Sequence, residues 1–387
     1  MAGAISTIDV DGPPSLPRFC LYFLRLGALG FGGPIALAGA MQRDLVEERG
    51  WISREDYVEG LALAQLAPGP LAAQLAIYLG YVRGKILGAT LVGFAFILPS
   101  FLMVLVLSAL YVSWGGLRPM QALFYGIGAA VVGIIARSAG KLTRTTLKSD
   151  PLAWLLFGVT AVITAATGKE LISVVLLSGA VALIVKAPPR PGRAGAPALL
   201  PPILVTGLHG TTGGDAWLGL LLYFAKAGAF VFGSGLAIVP FLYGGVVGEH
   251  RWLTERQFLD AVAVAMITPG PVVITVAFIG YLVAGPVGAT ASALGVFLPV
   301  WLFVVIPAPW FRKYASNVRL HAFVLGVTAA ATGAIAGAAV VIARGAVRDV
   351  PTAVIAVGAL LAIWKLKTPE PLVVAAAGIV GLLAYPG

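Results

Sequence analysis

The chain has 387 residues, of which 59% are hydrophobic and only 11% charged, and its formal net charge is +10. Globular domains carry about a quarter charged residues, so this composition excludes an ordinary soluble domain and predicts an all-α polytopic membrane protein. The basic residues fall in short loops between apolar segments, which is the positive-inside pattern of membrane proteins. We therefore expect a lipid bilayer, and no nucleic acid, as partner.

Apolar segments form two successive series along the chain. A polar N-terminal tail, residues 1–17, precedes the first series, and a Pro-rich linker, residues 188–215, separates it from the second. We therefore divide the rest of the chain into two repeats, residues 18–187 and 216–387. The apolar segments are 18–47, 57–82, 87–113, 119–140, 151–167 and 170–186, followed by 216–247, 257–283, 287–310, 320–343, 351–364 and 371–385.

An internal duplication relates the two series, because an offset of about 200 residues superimposes glycine, proline, tryptophan and charged positions. Hydrophobic composition alone would match alanine, valine and leucine, but not these residue types. The matched positions include Arg25 and Lys226, Trp51 and Trp252, Glu59 and Asp260, Pro68-Gly69-Pro70 and Pro269-Gly270-Pro271, Gly126 and Gly326, and Gly133 and Gly333.

Loop charges indicate that the repeats have opposite orientations. Arg83 and Lys85 follow the first Pro-Gly-Pro segment, whereas the matching residues 284–286 are uncharged. The loop at 111–118 carries one basic residue, whereas its counterpart at 311–319 carries three. In a third pair of loops both members carry basic residues, which would place both on the same side of the membrane. Because basic loops stay in the cytoplasm, the first two pairs favour inverted-topology repeats.

The segments beside each Pro-Gly-Pro are too short to cross a bilayer. Residues 55–67 and 71–83, with 256–268 and 272–284 in the second half, would each extend about 20 Å, against about 30 Å of hydrocarbon. If each pair is a re-entrant hairpin, each half has five crossings, which is consistent with inversion. We expect about ten transmembrane helices plus two re-entrant Pro-Gly-Pro helical hairpins. Full crossings at these positions, which would give parallel repeats, are the alternative.

The Pro-Gly-Pro breaks predict an anion site. A helix that starts after Pro70 or Pro271 presents free backbone N–H groups and a partial positive charge. Further breaks at 31–34 and 232–235 supply two more helix N-termini, so that four could face one centre, as in secondary transporters. The candidate substrate-binding residues are Arg25, Gly32, Gly33, Gln65, Pro68, Gly69, Pro70, Leu71, Gln74, Lys226, Gly233, Ser234, Thr268, Pro269, Gly270, Pro271, Val272 and Thr275.

Polar side chains inside the apolar segments suit the same anion. Arg25 and Lys226 would each cost about 2.5–3.5 kcal/mol at the bilayer centre, which indicates a function; snorkelling to the interface is the alternative. Gln65 and Gln74 bracket the first Pro-Gly-Pro and are able to donate hydrogen bonds to an oxyanion, with interhelical hydrogen bonds as the alternative. The second half has other residues there, Thr275 among them, so we expect an asymmetric site.

Glu59 and Asp260 share one repeat position and are candidates for the proton-carrying groups of a coupled transporter. The alternative is a solvated carboxylate at the start of each hairpin. The histidines are scattered without metal-ligand spacing. We expect no metal, no cofactor and no catalytic residue.

These residues resemble the chromate ion transporter family, whose members consist of two homologous halves. The resemblance rests on Phe31-Gly32-Gly33-Pro34, on Pro68-Gly69-Pro70 with Gln74, on Gly80-Tyr81, on Leu98-Pro99-Ser100 and on their second-half equivalents. It implies a multi-pass carrier of the inner (plasma) membrane that exports chromate and confers chromate resistance. Sulfate would be the structural analogue or competitor. Ser234 in place of Gly33 limits what can be transferred from one half to the other.

Three hypotheses of function follow. The leading one is an alternating-access secondary transporter that exports chromate through a central site made of broken-helix N-termini. The second is a physiological sulfate or other oxyanion transporter that carries chromate incidentally. A membrane enzyme or lipid scramblase is the third, although an enzyme would need converging catalytic side chains in its spans and the sequence has no such cluster. A homodimer is left open.

Overall fold

The chain is helical throughout the residues that a computed structural model describes, which confirms the predicted all-α fold for them. These residues are 14–31, 33–114, 117–168, 172–188, 216–230, 238–311 and 317–386. The predicted N-terminal tail and Pro-rich linker lie almost wholly outside them. The helices are α1 (Leu16–Leu29), α2 (Gly33–Met41), α3 (Arg54–Leu66), α4 (Leu71–Trp114), α5 (Arg118–Leu147), α6 (Pro151–Thr167), α7 (Ile172–Lys186), α8 (Ala216–Phe230), α9 (Ile238–Tyr243), α10 (Glu255–Ile267), α11 (Thr275–Val305), α12 (Val318–Ala346), α13 (Val350–Lys365) and α14 (Glu370–Ala384).

The first apolar segment folds back on itself. The Tyr22 hydroxyl in α1 donates a hydrogen bond to Asp44 Oδ2 (3.1 Å), and a Cβ added at Gly30 would lie 2.6 Å from the Leu37 side chain. These contacts need antiparallel arms, because the residues are too far apart in sequence to meet along one continuous helix. The count of five crossings per half took 18–47 as one crossing; the structure corrects this, since the break after α1 reverses the chain instead of bending it.

The second half begins with the same antiparallel hairpin. α2 and α9 each continue into a π-helical turn, Gln42–Glu48 and Gly244–Glu249. Tyr223 in α8 packs edge-on against Trp252, which follows the second of these turns, with ring centres 5.3 Å apart. In the first half the reversal uses Gly33, whose φ of +75° glycine adopts without strain.

Each Pro-Gly-Pro joins two short helices. In the first half these are α3 and the start of α4, and a Cβ added at Gly60 would lie 2.3 Å from the Tyr78 ring, so the two arms lie against each other. Gly69 and Gly270 have φ values of +139° and +93°, a region that residues with a Cβ rarely adopt. The glycine in the middle of each motif is thus a backbone requirement.

A further reversal lies inside α4 and inside α11. Gly84 and Lys85 leave helical geometry, and α11 has the same break at 284–285. A Cβ added at Gly80 would lie 2.5 Å from the carbonyl oxygen of Gly88, so the short first arm of α4 packs closely against the long second arm. Each of these two helices is therefore a hairpin of a short arm and a long arm.

The last two helices of each half pack on the other half. α6 and α7 lie against α12, whereas α13 and α14 lie against α5. A Cβ added at Gly333 in α12 would lie 2.3 Å from the Phe157 carbonyl oxygen in α6, and one at Gly133 in α5 would lie 2.4 Å from the Ala356 carbonyl oxygen in α13. Because glycine allows these backbones to approach, the two repeats interlock and share one core.

The equivalent helices α5 and α12 run in opposite directions. α5 and α12 occupy matching places in the repeats and pack against each other. Early in α5, the Tyr125 hydroxyl donates a hydrogen bond to Asp349 Oδ2 (2.6 Å), just after the end of α12. Arg256, at the start of α10, donates to the Gln121 carbonyl oxygen, also early in α5 (3.1 Å). The start of α5 therefore lies beside the end of α12.

Among the described residues, four helices are long and apolar enough to cross a membrane. They are Leu71–Trp114, Arg118–Leu147, Val272–Val305 and Val318–Ala346. Five further apolar helices of 10–17 residues would extend at most about 25 Å. On α4, Phe94 and Val106 are each 60% exposed, a surface suited to lipid. The chain is a multi-pass membrane protein, but the predicted count of about ten crossings took 18–47 and 216–247 as one crossing each and does not allow for their fold-back.

Candidate functional site

The second Pro-Gly-Pro is tied to the first half of the chain. The Gly270 N–H donates a hydrogen bond to the Gly30 carbonyl oxygen, at the bend between α1 and α2 (2.9 Å). Ser100 is fully buried in the long arm of α4, and its hydroxyl donates to the carbonyl oxygens of Pro269 (2.8 Å) and Gly27 (3.3 Å). These contacts place the second Pro-Gly-Pro against the closed end of the first hairpin.

The first Pro-Gly-Pro is held by its own helix. Gln74 is fully buried and donates from Nε2 to the Pro68 carbonyl oxygen (2.7 Å), while its Oε1 has no hydrogen-bond partner among the described residues. Gly69 lies against Val300, which is the counterpart of Ser100 and has no hydroxyl. Gln74 was predicted to donate to an oxyanion, but here one of its N–H groups already serves the backbone.

Other predicted site residues lie near the breaks, and their polar groups form hydrogen bonds with nearby backbone. Thr268 and Thr275 are buried, and their hydroxyls donate to the backbone oxygens of Val264 (2.7 Å) and Val272 (2.8 Å). Gln65 is exposed on α3, so the structure does not bring it together with the buried Gln74.

The helices that follow the two Pro-Gly-Pro motifs start differently. α4 begins at Leu71, which leaves its first N–H groups without intrahelical partners. In the second half Val272–Ile274 forms a 3₁₀ turn before α11, and the Ile274 N–H donates to the Pro271 carbonyl oxygen (3.0 Å). The three β-branched residues of this turn have a lower α-helix propensity than the leucine and two alanines that follow Pro70. Three predicted residues lie outside the described ranges: Gly32, Gly233 and Ser234.

A cleft rich in arginine lies between α1 and α2. Its volume is about 610 Å³. Four arginines and one aspartate line it, which leaves a net formal charge of +3. Gly30, which accepts the hydrogen bond from Gly270, forms part of its closed end. We call it the arginine cleft, and its polar and closing residues are Arg18, Tyr22, Arg25, Gly30, Phe31, Arg43, Asp44, Arg49 and Trp51.

Aromatic rings position two of the arginines. The Arg49 Cζ lies 4.7 Å from the centre of the Trp51 ring and 5.5 Å from that of Tyr22, and the Arg18 Cζ lies 5.3 Å from the Trp51 ring. A ring face attracts a guanidinium without using its N–H groups as hydrogen-bond donors. The rings therefore hold these two guanidinium groups in place along the cleft.

Arg25 is a cation of the cleft without a partner among the described residues. It is exposed to the cleft near the closed end, and within the described residues it has no hydrogen bond or ion pair. Arg43, in contrast, pairs with Asp44 (Nε to Oδ1, 3.1 Å). Because an unpaired cation within an apolar segment is costly, Arg25 would gain more than a paired arginine from an anion.

The second half lacks most of this charge. The counterparts of Arg18, Arg25, Arg43, Asp44 and Arg49 are Gly219, Lys226, Gly244, Gly245 and His250. Lys226 is exposed and keeps a positive charge at the Arg25 position. A Cβ added at Gly245 would lie 2.0 Å from the Tyr223 hydroxyl oxygen, so the tyrosine occupies the space that a carboxylate takes in the first half.

His250 replaces Arg49 with a neutral ring. It stacks on Trp252, with ring centres 4.4 Å apart and planes 13° apart. Burial lowers the pKa of His250, Lys226 acts in the same direction, and Glu249 acts against them. Since an ordinary histidine has a pKa of about 6.5, His250 is neutral at pH 7.

Asp260 and Tyr111 form a buried hydrogen bond between the halves. The Tyr111 hydroxyl, near the end of α4, donates to Asp260 Oδ2 at 2.7 Å, and Asp260 is 2% exposed. Glu59, at the matching repeat position, is only half-buried. The counterpart of Tyr111 is Phe311, which has no hydroxyl. Two carboxylates that the sequence pairs with each other thus have different surroundings.

Several of these residues are absent from the sequence prediction. Arg18, Arg43 and Arg49 lie at the ends of apolar segments and resemble ordinary loop charges. Comparison of the two halves does single out these arginines, because glycine or histidine stands at each matching position of the second half. The contacts of Ser100 with the other half have no comparable sequence signal. In the described part of the chain, no group of three or more His, Cys, Asp or Glu residues could hold a metal ion.

Comparison with known proteins gives one family. The family model described as "Chromate transporter" matches residues 18–184 and 218–382. The chain is 57% identical to the "Chromate transport protein" of Cupriavidus metallidurans over 100% of this chain and 96% of that protein. It is 54% identical to the "Probable chromate transport protein" of Synechococcus elongatus over 100% of both, and 33% identical to the "Chromate transport protein" of Pseudomonas aeruginosa over 98% and 95%. No solved structure matches the chain.

Proposed function

The chain belongs to the chromate transporter family, a family of transporters rather than enzymes, and we propose that it exports chromate through the arginine cleft. We infer the substrate from relatives that are named as chromate transport proteins. We infer the route from the position of the cleft and of the second Pro-Gly-Pro, which closes its inner end.

The main support for this proposal is the excess of positive charge in the cleft. Chromate and sulfate are tetrahedral dianions, and guanidinium groups bind oxyanions with paired N–H donors. Arg25 offers an unpaired guanidinium near the closed end, while Arg18 and Arg49 are held by Trp51 nearer the mouth. A cleft lined by one sign of charge also raises the local concentration of the opposite ion. The cleft therefore suits capture of a dianion.

The position of the cleft favours export. Arg83 donates from Nε to the Pro14 carbonyl oxygen (2.9 Å), just before α1, so Arg83 and Lys85 share one end of the bundle with the open end of the cleft. By the positive-inside rule this end faces the cytoplasm. The cleft would load chromate from the cytoplasm of a cell whose inner (plasma) membrane contains the protein.

We also propose that the two halves, 18–187 and 216–387, are inverted-topology repeats that alternate in access. The opposite directions of α5 and α12 support this arrangement. In such an arrangement the α8–α9 hairpin opens on the other side of the membrane, where it carries far less charge and holds a dianion less tightly. The Pro-Gly-Pro hairpins would be re-entrant, with their breaks near the midplane. The homodimer stays a prediction.

For coupling, we propose that Asp260 rather than Glu59 exchanges the proton. Asp260 is buried between the halves, with the Tyr111 hydroxyl as hydrogen-bond donor and the charge of Arg256 close enough to act on it, so a relative movement of the halves would change its access to water. Ionisable groups inside a membrane domain are costly and usually functional. Glu59 lacks a tyrosine at the matching position and is less buried.

Everted membrane vesicles test the proposed function. Chromate uptake should saturate, fall with excess sulfate, and fall at least tenfold in Arg25→Ala while the amount of inserted protein stays unchanged. Undiminished uptake by Arg25→Ala would place the binding site elsewhere. Sulfate transport with a higher kcat/KM than chromate transport would instead favour the physiological sulfate carrier.

A further inference from the structure

We propose that Ser100 is a positioning residue that couples the two halves. Its hydroxyl holds the second Pro-Gly-Pro against the closed end of the first hairpin, so that neither can move without the other. The arginine cleft and the second break would then open and close as one unit. The coupling is a movement within the protein, and it does not depend on which oxyanion is carried.

The contacts of Ser100 cross the repeat boundary. Its side chain is fully buried and donates to Pro269 of the second half (2.8 Å) and, at a longer distance, to Gly27 of α1 (3.3 Å). Beside it the Gly270 N–H donates to Gly30 (2.9 Å). A Cβ added at Gly270 would lie 2.0 Å from the Ser100 hydroxyl oxygen, so hydroxyl and glycine occupy adjoining space. The hydrogen bonds of Ser100 and of the Gly270 N–H therefore connect the backbone of the second half to α1 at one place.

The same backbone group is satisfied differently in the first half. The first proline of each motif has a carbonyl oxygen that accepts a side-chain hydrogen bond; Pro269 is buried and Pro68 partly buried, and a carbonyl left unpaired there would be destabilising. Pro68 receives its hydrogen bond from Gln74 of its own helix, whereas Pro269 receives it from Ser100 of the other half. The matching residues cannot exchange these roles, since Val300 has no hydroxyl and Thr275 donates to Val272.

This difference predicts that the two breaks respond differently to the loss of Ser100. Pro68 of the first Pro-Gly-Pro takes its donor from its own helix, and among the described residues no hydrogen bond joins this motif to the other half. The second Pro-Gly-Pro can leave α1 only if Pro269 and Gly270 both lose their partners. Ser100 therefore sets the stability of the closed arrangement, and it does so without touching the anion.

Cysteine accessibility tests this directly. Cys20 is the only cysteine, so a Cys20→Ser background is free of thiols. In that background Thr268→Cys reports on the second break and Ala67→Cys, at the matching position, reports on the first. In membranes without anion, adding Ser100→Ala should raise the rate at which a small water-soluble methanethiosulfonate modifies Thr268→Cys at least fivefold. The rate at Ala67→Cys should change less than twofold.

A matched control separates coupling from general loosening. Ser108 is a second fully buried serine of α4, and its hydroxyl donates only within the helix, to Val104 (2.7 Å). Ser108→Ala should leave both modification rates within twofold of their starting values. An equal rise at both cysteines in Ser100→Ala, or the same rise in Ser108→Ala, would overturn the proposal.

Two further measurements avoid the introduced cysteines. Hydrogen–deuterium exchange of the peptide spanning 266–276 should be faster in Ser100→Ala than in the unmodified chain, with 65–75 unchanged. In chromate uptake, Ser100→Ala should lower kcat at least fivefold and leave KM within about twofold, because the arginines are intact. Unchanged exchange in both peptides, or a rise in KM at constant kcat, would contradict the proposed role of Ser100.

Discussion

The two halves agree where backbones touch and differ where side chains line a cleft. A Cβ added at Gly80 or at Gly280 would lie 2.5 or 2.3 Å from the carbonyl oxygen of the glycine that faces it, Gly88 or Gly288. The α1–α2 and α8–α9 hairpins share a shape, but the first has four arginines where the second keeps only Lys226 as a full positive charge. Close packing has been retained through the duplication, and charge has not.

This difference indicates how a symmetric scaffold could move an anion in one direction. Two inverted halves provide two arrangements of similar energy, as alternating access requires. If both hairpins carried the same charge, neither side would be favoured for loading. A strongly positive cleft on one side and a hairpin with less positive charge on the other would favour capture on the first and release on the second.

The scaffold should be equally sensitive in both halves. Gly80→Val and Gly280→Val each place a side chain against a backbone oxygen that cannot move aside, at a cost of about 3 kcal/mol. Both variants should lose most of the monodisperse protein seen by size-exclusion chromatography in detergent. Gly158→Val is the matched control, since nothing lies within 4 Å of a Cβ added there. Tolerance of one variant alone would show that the halves differ in packing as well.

The cation at the matched position should matter in one half only. Arg25→Ala should lower kcat/KM for chromate between tenfold and a hundredfold, because a charge-assisted hydrogen bond contributes about 1.5–3 kcal/mol. Lys226→Ala should lower it less than threefold. Uptake into everted vesicles measures both, with Arg25→Lys as the charge-retaining control. Equal losses in the two alanine variants would remove the proposed asymmetry.

The two carboxylates, Asp260 and Glu59, should likewise differ in their effect on transport. Asp260→Asn keeps an acceptor for Tyr111 but cannot bind or release a proton, so chromate uptake driven by a pH gradient should fall about tenfold. Exchange of chromate for chromate without a gradient should persist. Glu59→Gln should change gradient-driven uptake less than twofold. A larger loss in Glu59→Gln than in Asp260→Asn would assign the coupling to the other half.

The smallest effect should depend on pH. Arg49→His gives the first cleft the residue of the second, and a histidine with a pKa near 6.5 is charged at pH 5.5 and neutral at pH 8. Uptake relative to the unmodified chain should therefore be about three- to fivefold lower at pH 8 and nearly restored at pH 5.5. Arg49→Lys, measured at both pH values, should show no such change. A ratio that is constant with pH would mean that charge at this position is unimportant.

Much of the scaffold could be predicted from the sequence because its signals are local. Pro68-Gly69-Pro70 must interrupt a helix wherever it lies, and its repetition predicted both short-armed hairpins. The fold-back of 18–47 could not be read in the same way. An apolar run with a Gly-Pro break has the same composition whether the chain bends or reverses, and the direction is set by contacts such as that between Tyr22 and Asp44.

The site was predicted in outline only. Arg25 was found because it lies inside an apolar segment, where a cation is conspicuous. Arg18 and Arg49 belong to the same cleft only because α1 and α2 fold together. The contact between Ser100 and Pro269 joins residues from different halves, so local sequence pattern contains no trace of it. The pairing of α6 and α7 with α12 was hidden for the same reason.

We place the oxyanion in the arginine cleft of the first half. An anomalous difference map from crystals of the unmodified chain grown with chromate tests this placement, since chromium identifies the anion without reference to its neighbours. We expect a peak within hydrogen-bonding distance of the Arg25 guanidinium, between α1 and α2. A peak beside Lys226, or between the starts of α4 and α11 with the cleft empty, would contradict it.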